Sequence, residues 1–148
     1  MRKRLYRFTL IEPHKWNCGY TLYNLQLGEV RHFADKNGKV WLTIHHNGDF
    51  LISAGYSWDG CSPKLAKIGN FWIGVPDGRI NPETGKHQAY FATLIHDILY
   101  QFKHKDHMPF SRREMDKFFY QLLKESNFRF TKLYFWAVRL LGGIWSKI

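Results

Sequence analysis

Cysteine is scarce in this chain. Only Cys18 and Cys61 occur among 148 residues, which excludes a disulfide-dense secreted scaffold and any four-cysteine zinc site. Acidic residues are also few, with 12 Asp and Glu against 22 Lys and Arg, so the formal charge is +10. That excess favours anionic partners such as nucleic acid or an acidic lipid surface and does not choose between them. A long hydrophobic run is missing as well. The most apolar stretch, Leu133 to Trp145, is shorter than the roughly 20 residues that cross a bilayer, and Arg139 interrupts it. The basic start, Met1 to Phe8, has no apolar stretch behind it, so no cleaved signal peptide is expected. Neither repeats nor low-complexity segments appear.

What is present is a globular composition rich in rings. Hydrophobic residues at 45% and charged residues at 23% exclude disorder. Aromatics make up 18% of the chain, and each buries a large area, so a real core is available to a single domain of this length. The expected fold class is α+β over residues 1–148, with a β-rich section at 1–54, a loop at 55–86 and a helical section at 87–148.

The first section carries strand and turn signals. Arg4 to Ile11 alternates loosely and ends at Pro13. Val40 to His46 and Phe50 to Ala54 flank Asn47-Gly48, a hairpin dipeptide, and Asp35-Lys36-Asn37-Gly38 is a second turn cluster. From Gly55 to Gly85 the chain is rich in Gly and Pro and has no clear period, so it reads as mostly loop, and long ordered loops are often functional.

The second half has helical spacing. Phe91, Leu94, Ile95, Ile98, Leu99 and Phe102 fall on one face of a helix expected over 88–102. Ser111 opens a Ser-x-x-Glu capping box with Glu114, ahead of a helix that buries Met115, Phe118, Phe119, Leu122 and Leu123. A third helix is expected from about Thr131 to about Leu141, stopping at Gly142-Gly143.

One constellation has chemical content. At about 100° per residue, Thr93, His96 and Tyr100 cluster away from the apolar stripe of the first helix, with Asp97 beside them. Asp116 lies at the margin of the second helix's stripe. If the two helices pack antiparallel, Asp116 meets His96. An imidazole held by a carboxylate has its tautomer fixed and its charged form stabilised, so it can take a proton from water. Asp97 points elsewhere and would hold a cation. Ca²⁺ takes six to eight oxygens; Asp59, in the Gly-rich stretch Gly55 to Pro63, is the candidate second carboxylate. That stretch is therefore expected against the His96 helix, with Asp59 near Asp97 or near Arg112 and Arg113. The two arginines stand in a helix first turn, where positive charge opposes the dipole, and could bind an anion.

The same residues have a plain reading. A His-Asp pair on a helix is often surface polarity, Asp116 balances two arginines, and Arg112 and Arg113 form a solvated face. Tyr56, Trp58 and Cys61 read as packing residues. His104 and His107, joined by His96 or Asp97, would be a zinc set, but the spacing matches no zinc motif, and His104 to His107 reads better as a polar turn between helices. His45-His46, at the hairpin end, is expected to be exposed.

Four blocks carry a resemblance that covers most of the chain. Gly55-x-x-x-Asp59-Gly60-x-Ser62-Pro63, His96-Asp97-x-Leu99-Tyr100, Arg112-x-x-x-Asp116-x-x-Phe119 and Tyr134-x-x-Ala137-Val138-Arg139-x-x-Gly142-x-x-Trp145 look like the phage and prophage family called domain of unknown function 1353. The resemblance implies a bacteriophage or prophage origin; synthesis in the host-cell cytoplasm is expected from the lack of an expected signal peptide or span, with the virion as an alternative location. The resemblance implies no activity.

A second, local resemblance does. His96-Asp97-x-x-Tyr100 followed by Asp116-x-x-Phe119 is similar to the catalytic core of phospholipases A2, including the compact form in parvovirus capsids. It implies His96 as general base, Asp97 as the calcium carboxylate, and Tyr100 and Asp116 as the partners of the imidazole. Three functions follow as expectations. The first is a calcium-assisted ester hydrolase at an anionic lipid surface. The second is a non-catalytic phage protein, a tail or assembly component or an inhibitor of a host factor, in which these residues form a structural network. Nucleic-acid binding ranks last, because the basic residues are spread along the chain without a stripe or motif.

Overall fold

The computed structural model describes residues 8–19, 28–58, 67–68, 71–72, 80, 82 and 84–145. Antiparallel strands occupy the N-terminal part and three helices the C-terminal part, an α+β fold. The chain divides into two compact units, residues 1–58 with 102–109, and residues 59–101 with 110–148.

The first unit is built on a four-stranded antiparallel sheet in the order β2-β5-β4-β3, from β2 (His14–Asn17), β3 (Val30–Ala34), β4 (Val40–His45) and β5 (Asp49–Ile52). Alternation fixes its buried face. Phe33, Leu42, Ile44, Phe50 and Ile52 are fully buried, and the register pairs Leu42 with both Phe33 and Ile52, and Ile44 with Phe50. A one-residue slip would turn this whole set to solvent, so the pattern specifies the pairing. The Asn47-Gly48 signal gives the β4–β5 hairpin, with Gly48 at φ 90°. The Asp35 to Gly38 cluster turns β3 into β4: the Asp35 carboxylate accepts from the Asn37 and Lys39 amides at 2.9 and 3.1 Å and from Trp41 Nε1 at 2.9 Å. Hydrogen bonds from Trp41 and these amides outweigh burial and hold the Asp35 carboxyl below its ordinary value.

A two-stranded pair joins β1 (Phe8–Thr9) to β6 (Ser57–Trp58), and Tyr56 and Trp58 are core residues, as their plain reading has it. The segment after the first helix also packs here. The His107 ring stacks on Phe33 with centroids 4.4 Å apart, His107 Nε2 donates to the His32 carbonyl at 2.7 Å, and Arg31 Nη1 donates to the His107 carbonyl at 2.7 Å. His45 and His46 are half-buried rather than exposed.

The second unit holds a short strand pair, β7 (Lys67–Ile68) with β8 (Phe71–Trp72), and three helices, α1 (Tyr90–Gln101), α2 (Arg112–Glu125) and α3 (Thr131–Trp145). The stretch expected to be mostly loop thus contains β6, β7 and β8. Two-residue strands leave no periodic signal in sequence, which explains the difference. Ser111 caps α2 by accepting from the Glu114 amide at 3.2 Å, as the capping box predicts. α2 ends at Ser126, whose Oγ donates to the Leu123 carbonyl at 2.8 Å, and Asn127 takes a left-handed φ of 59°. α3 differs from expectation at its end: it runs through Gly142-Gly143 to Trp145. Paired glycines cost a helix interior about 1 kcal/mol each relative to alanine and do not by themselves stop it.

The helical core is made of Leu94, Ile95, Ile98 and Leu99 from α1, Met115, Phe118, Phe119 and Leu123 from α2, and Tyr134, Ala137 and Val138 from α3, all buried. α2 packs against both other helices. Each of the Leu, Ile, Met, Phe and Val side chains contributes roughly 1.5–3 kcal/mol through its removal from water. That packing holds α1 and α2 with their polar margins facing one another.

Candidate functional site

Asp116 is the centre of this margin. It is completely buried, one turn into α2, between Met115 and the Phe118-Phe119 pair. A charge in that position must be matched by donors or be neutralised. Four side chains supply the match. His96 Nε2 lies 2.8 Å from Oδ1 and Tyr100 OH donates to the same oxygen at 2.5 Å. Arg139 Nη1 donates to Oδ2 at 2.9 Å, and Arg112 Nε stands 3.8 Å from it. His96 and Tyr100 are one helical turn apart on α1, so both reach the same point. Arg112 and Asp116 are likewise one turn apart on α2. Arg139 comes from α3, and Arg112 Nη2 donates to its backbone carbonyl at 2.5 Å, tying α2 to α3 beside the carboxylate.

The electrostatics follow from this donor set. Burial pushes the Asp116 carboxyl up, but the hydrogen bonds from His96, Tyr100 and Arg139 outweigh it and hold the carboxyl below its ordinary value. An ionised carboxylate only accepts, so His96 Nε2 carries the proton it shares. In the neutral ring the lone pair then sits on Nδ1. Tyr100 is pushed the other way. Burial first, then its hydrogen bond to Asp116 and the negative charge there, raise its phenol well above the ordinary value against the opposing charges of Arg112 and Arg139. Tyr100 is therefore a fixed donor. The His96 ring is held from the sides by Tyr100, with centroids 4.0 Å apart, and by Phe119 at 4.7 Å. It is 7% exposed.

The expected residues separate into three groups. His96, Tyr100 and Asp116 are brought together, and Arg112 joins them by way of Asp116. Arg113 is exposed and Asp97 is half-buried. Thr93, expected on the same face, is buried and donates to the Ala89 carbonyl at 2.8 Å. Asp59, Cys61 and most of the Gly55 to Pro63 stretch lie outside the described residues, as does the expected approach of that stretch to the His96 helix. Among the described residues no cluster of three or more His, Cys, Asp or Glu side chains is placed to hold a metal ion. Asp97 alone offers at most two of the six to eight oxygens calcium takes. Arg139 and Phe119 belong to the site and were not singled out for it by spacing. The signal for Arg139 was there: a lone cation inside the most apolar stretch needs a partner.

No family model, curated protein or solved structure matches the chain. Among the described residues no helix is long and apolar enough to cross a membrane.

Proposed function

We propose that the protein is an ester hydrolase acting on phospholipid, with His96 as its general base and Asp116 and Tyr100 as the residues that position the ring. The observation that carries this reading is the shared oxygen: His96 Nε2 and Tyr100 OH both bond Asp116 Oδ1. A catalytic imidazole needs a fixed tautomer and a counter-charge for the proton it gains, and this arrangement supplies both. In the reaction a water gives its proton to the His96 ring as its oxygen bonds to the ester carbonyl carbon. The imidazolium then returns the proton to the leaving alkoxide as the ester C–O bond breaks. Arg112 and Arg139, each about a third exposed, leave one net positive charge around Asp116 when His96 is neutral, which suits a phosphate group or a developing oxyanion. The order of the four sequence blocks supports a phage or prophage origin for such an enzyme. Calcium enters as a condition of the test, through the carboxylates of Asp97 and Asp59, and no step above depends on it.

A second reading is favoured by burial. His96 at 7% exposure and Asp116 at 0% describe a network sealed enough to serve only the packing of three helices. The protein would then be a non-catalytic phage component or an inhibitor of a host factor. Fatty-acid release from phosphatidylglycerol vesicles, measured with calcium and with a chelator, separates the two. Release by the wild-type chain supports the hydrolase; its absence under both conditions supports the structural network.

A further inference from the structure

The exposed positions of α2 are what a solvated helix carries: Arg113, Glu114, Lys117, Lys124 and Glu125. Among the described side chains of α3, the exposed ones are Lys132 and an apolar set. Leu133, Trp136 and Leu140 are 36%, 60% and 73% exposed. At about 100° per residue they fall within roughly 60° of arc, so they form one stripe along the helix. A neighbouring arc of the same helix supplies Tyr134, Ala137 and Val138 to the core, so the stripe is distinct from the packed face. Isolated exposed apolar residues are common, but three in register on one helix face mark an interaction surface.

Charge beside the stripe indicates what it meets. A depression of about 510 Å³ opens at the α2–α3 corner, and its lining includes Lys124, Arg129 and Lys132, with no acid among the lining residues. Leu133 belongs to both features, so the cationic depression borders the apolar stripe at its N-terminal end. Trp136 is held against Phe135, at 5.6 Å between centroids, and Phe135 against Tyr120, at 5.3 Å, which itself lines the depression. Apolar side chains with an amphipathic Trp among them, bordered by Lys and Arg, match the boundary between headgroups and acyl chains.

We infer that the α3 face formed by Leu133, Trp136 and Leu140 docks on an anionic bilayer surface, with a lipid phosphate held between Lys124, Arg129 and Lys132. A protein partner would be served by the apolar stripe alone; the cation cluster at its end, on a chain of net charge +10, selects an anionic surface. The inference stands on these residues and not on the hydrolase reading, since docking and turnover are separable.

The test is co-sedimentation of the full chain with vesicles of phosphatidylcholine alone and of phosphatidylcholine containing phosphatidylglycerol. Binding is expected to the anionic vesicles only and to weaken as salt is raised. L133S/W136S/L140S, with helix content checked by circular dichroism, is expected to lower partitioning by roughly tenfold or more. K124Q/R129Q/K132Q is expected to lower it by roughly a hundredfold, about fivefold for each charge lost. Equal binding to both vesicles, binding to neither, or retention of binding by the two variants would overturn the proposal. So would a wild-type dimer in solution that the serine variant dissolves, because a second copy would then be the occupant.

Discussion

His96 and Tyr100, one turn apart on α1, converge on a single oxygen of Asp116 from α2. Both donate, because a carboxylate can only accept. The second oxygen is left to Arg139 from α3, at 2.9 Å. One buried carboxylate thus joins all three helices, and it sets the proton position on the histidine at the same time.

Removing that carboxylate leaves the buried His96 ring, a part-buried phenol and two part-buried arginines without their acceptor. Asp116→Ala is expected to cost about 3–5 kcal/mol in urea unfolding. The pH dependence has a definite sign. The folded-state value of Asp116 lies below its ordinary 3.8, so its contribution is present above that value and is lost as pH falls through the lower folded one. Unfolding free energies measured from about pH 6 down to about pH 2 should therefore fall more steeply for the wild type than for Asp116→Asn. Parallel slopes would mean that Asp116 is not held ionised.

Tyr100→Phe removes one donor and keeps the ring. The loss of a hydrogen bond to a charged group is expected to cost roughly 1.5–3 kcal/mol. Tyr100 ionises above its ordinary value of 10.0, so its contribution is full below that pH and is lost as pH rises through the raised folded value. Ultraviolet titration of the native chain and of Tyr100→Phe should differ only in a late-ionising tyrosine. A difference near the ordinary value would contradict the buried contact.

Ser111→Ala tests the start of α2 and, through it, the placement of Arg112 and Asp116. Loss of the cap is expected to cost about 1 kcal/mol, and Ser111→Asp to restore it. Thermal or urea unfolding of the three chains checks this, with equal stability of Ser111→Ala and wild type as the contrary result.

Much of this arrangement could be read from spacing. His96 falls off the apolar stripe of its helix and Asp116 at the margin of its own, so antiparallel packing brings them together. Tyr100 follows from the four-residue turn. Turn chemistry located the hairpins because Asn47-Gly48 and Asp35 to Gly38 act through local backbone and side-chain bonds. Arg139 escaped because its partner is 23 residues away on another helix, and such a contact has no period. The end of α3 lies beyond the sequence expectation because Gly142-Gly143 resembles a stop signal, and paired glycines do not by themselves end a helix. The burial of His96 and Thr93 also differs from a wheel reading, which ranks faces by hydropathy and does not register that two neighbouring helices cover more than one stripe.

In the proposed reaction His96 is a base held in place by Asp116. The most direct test is His96→Gln, which keeps a donor for Asp116 Oδ1, assayed for fatty-acid release from phosphatidylglycerol vesicles alongside its urea unfolding curve. A loss of turnover of roughly a hundred- to ten-thousandfold is expected, with the chain still folded at the assay temperature. Undiminished turnover in the folded variant would contradict it.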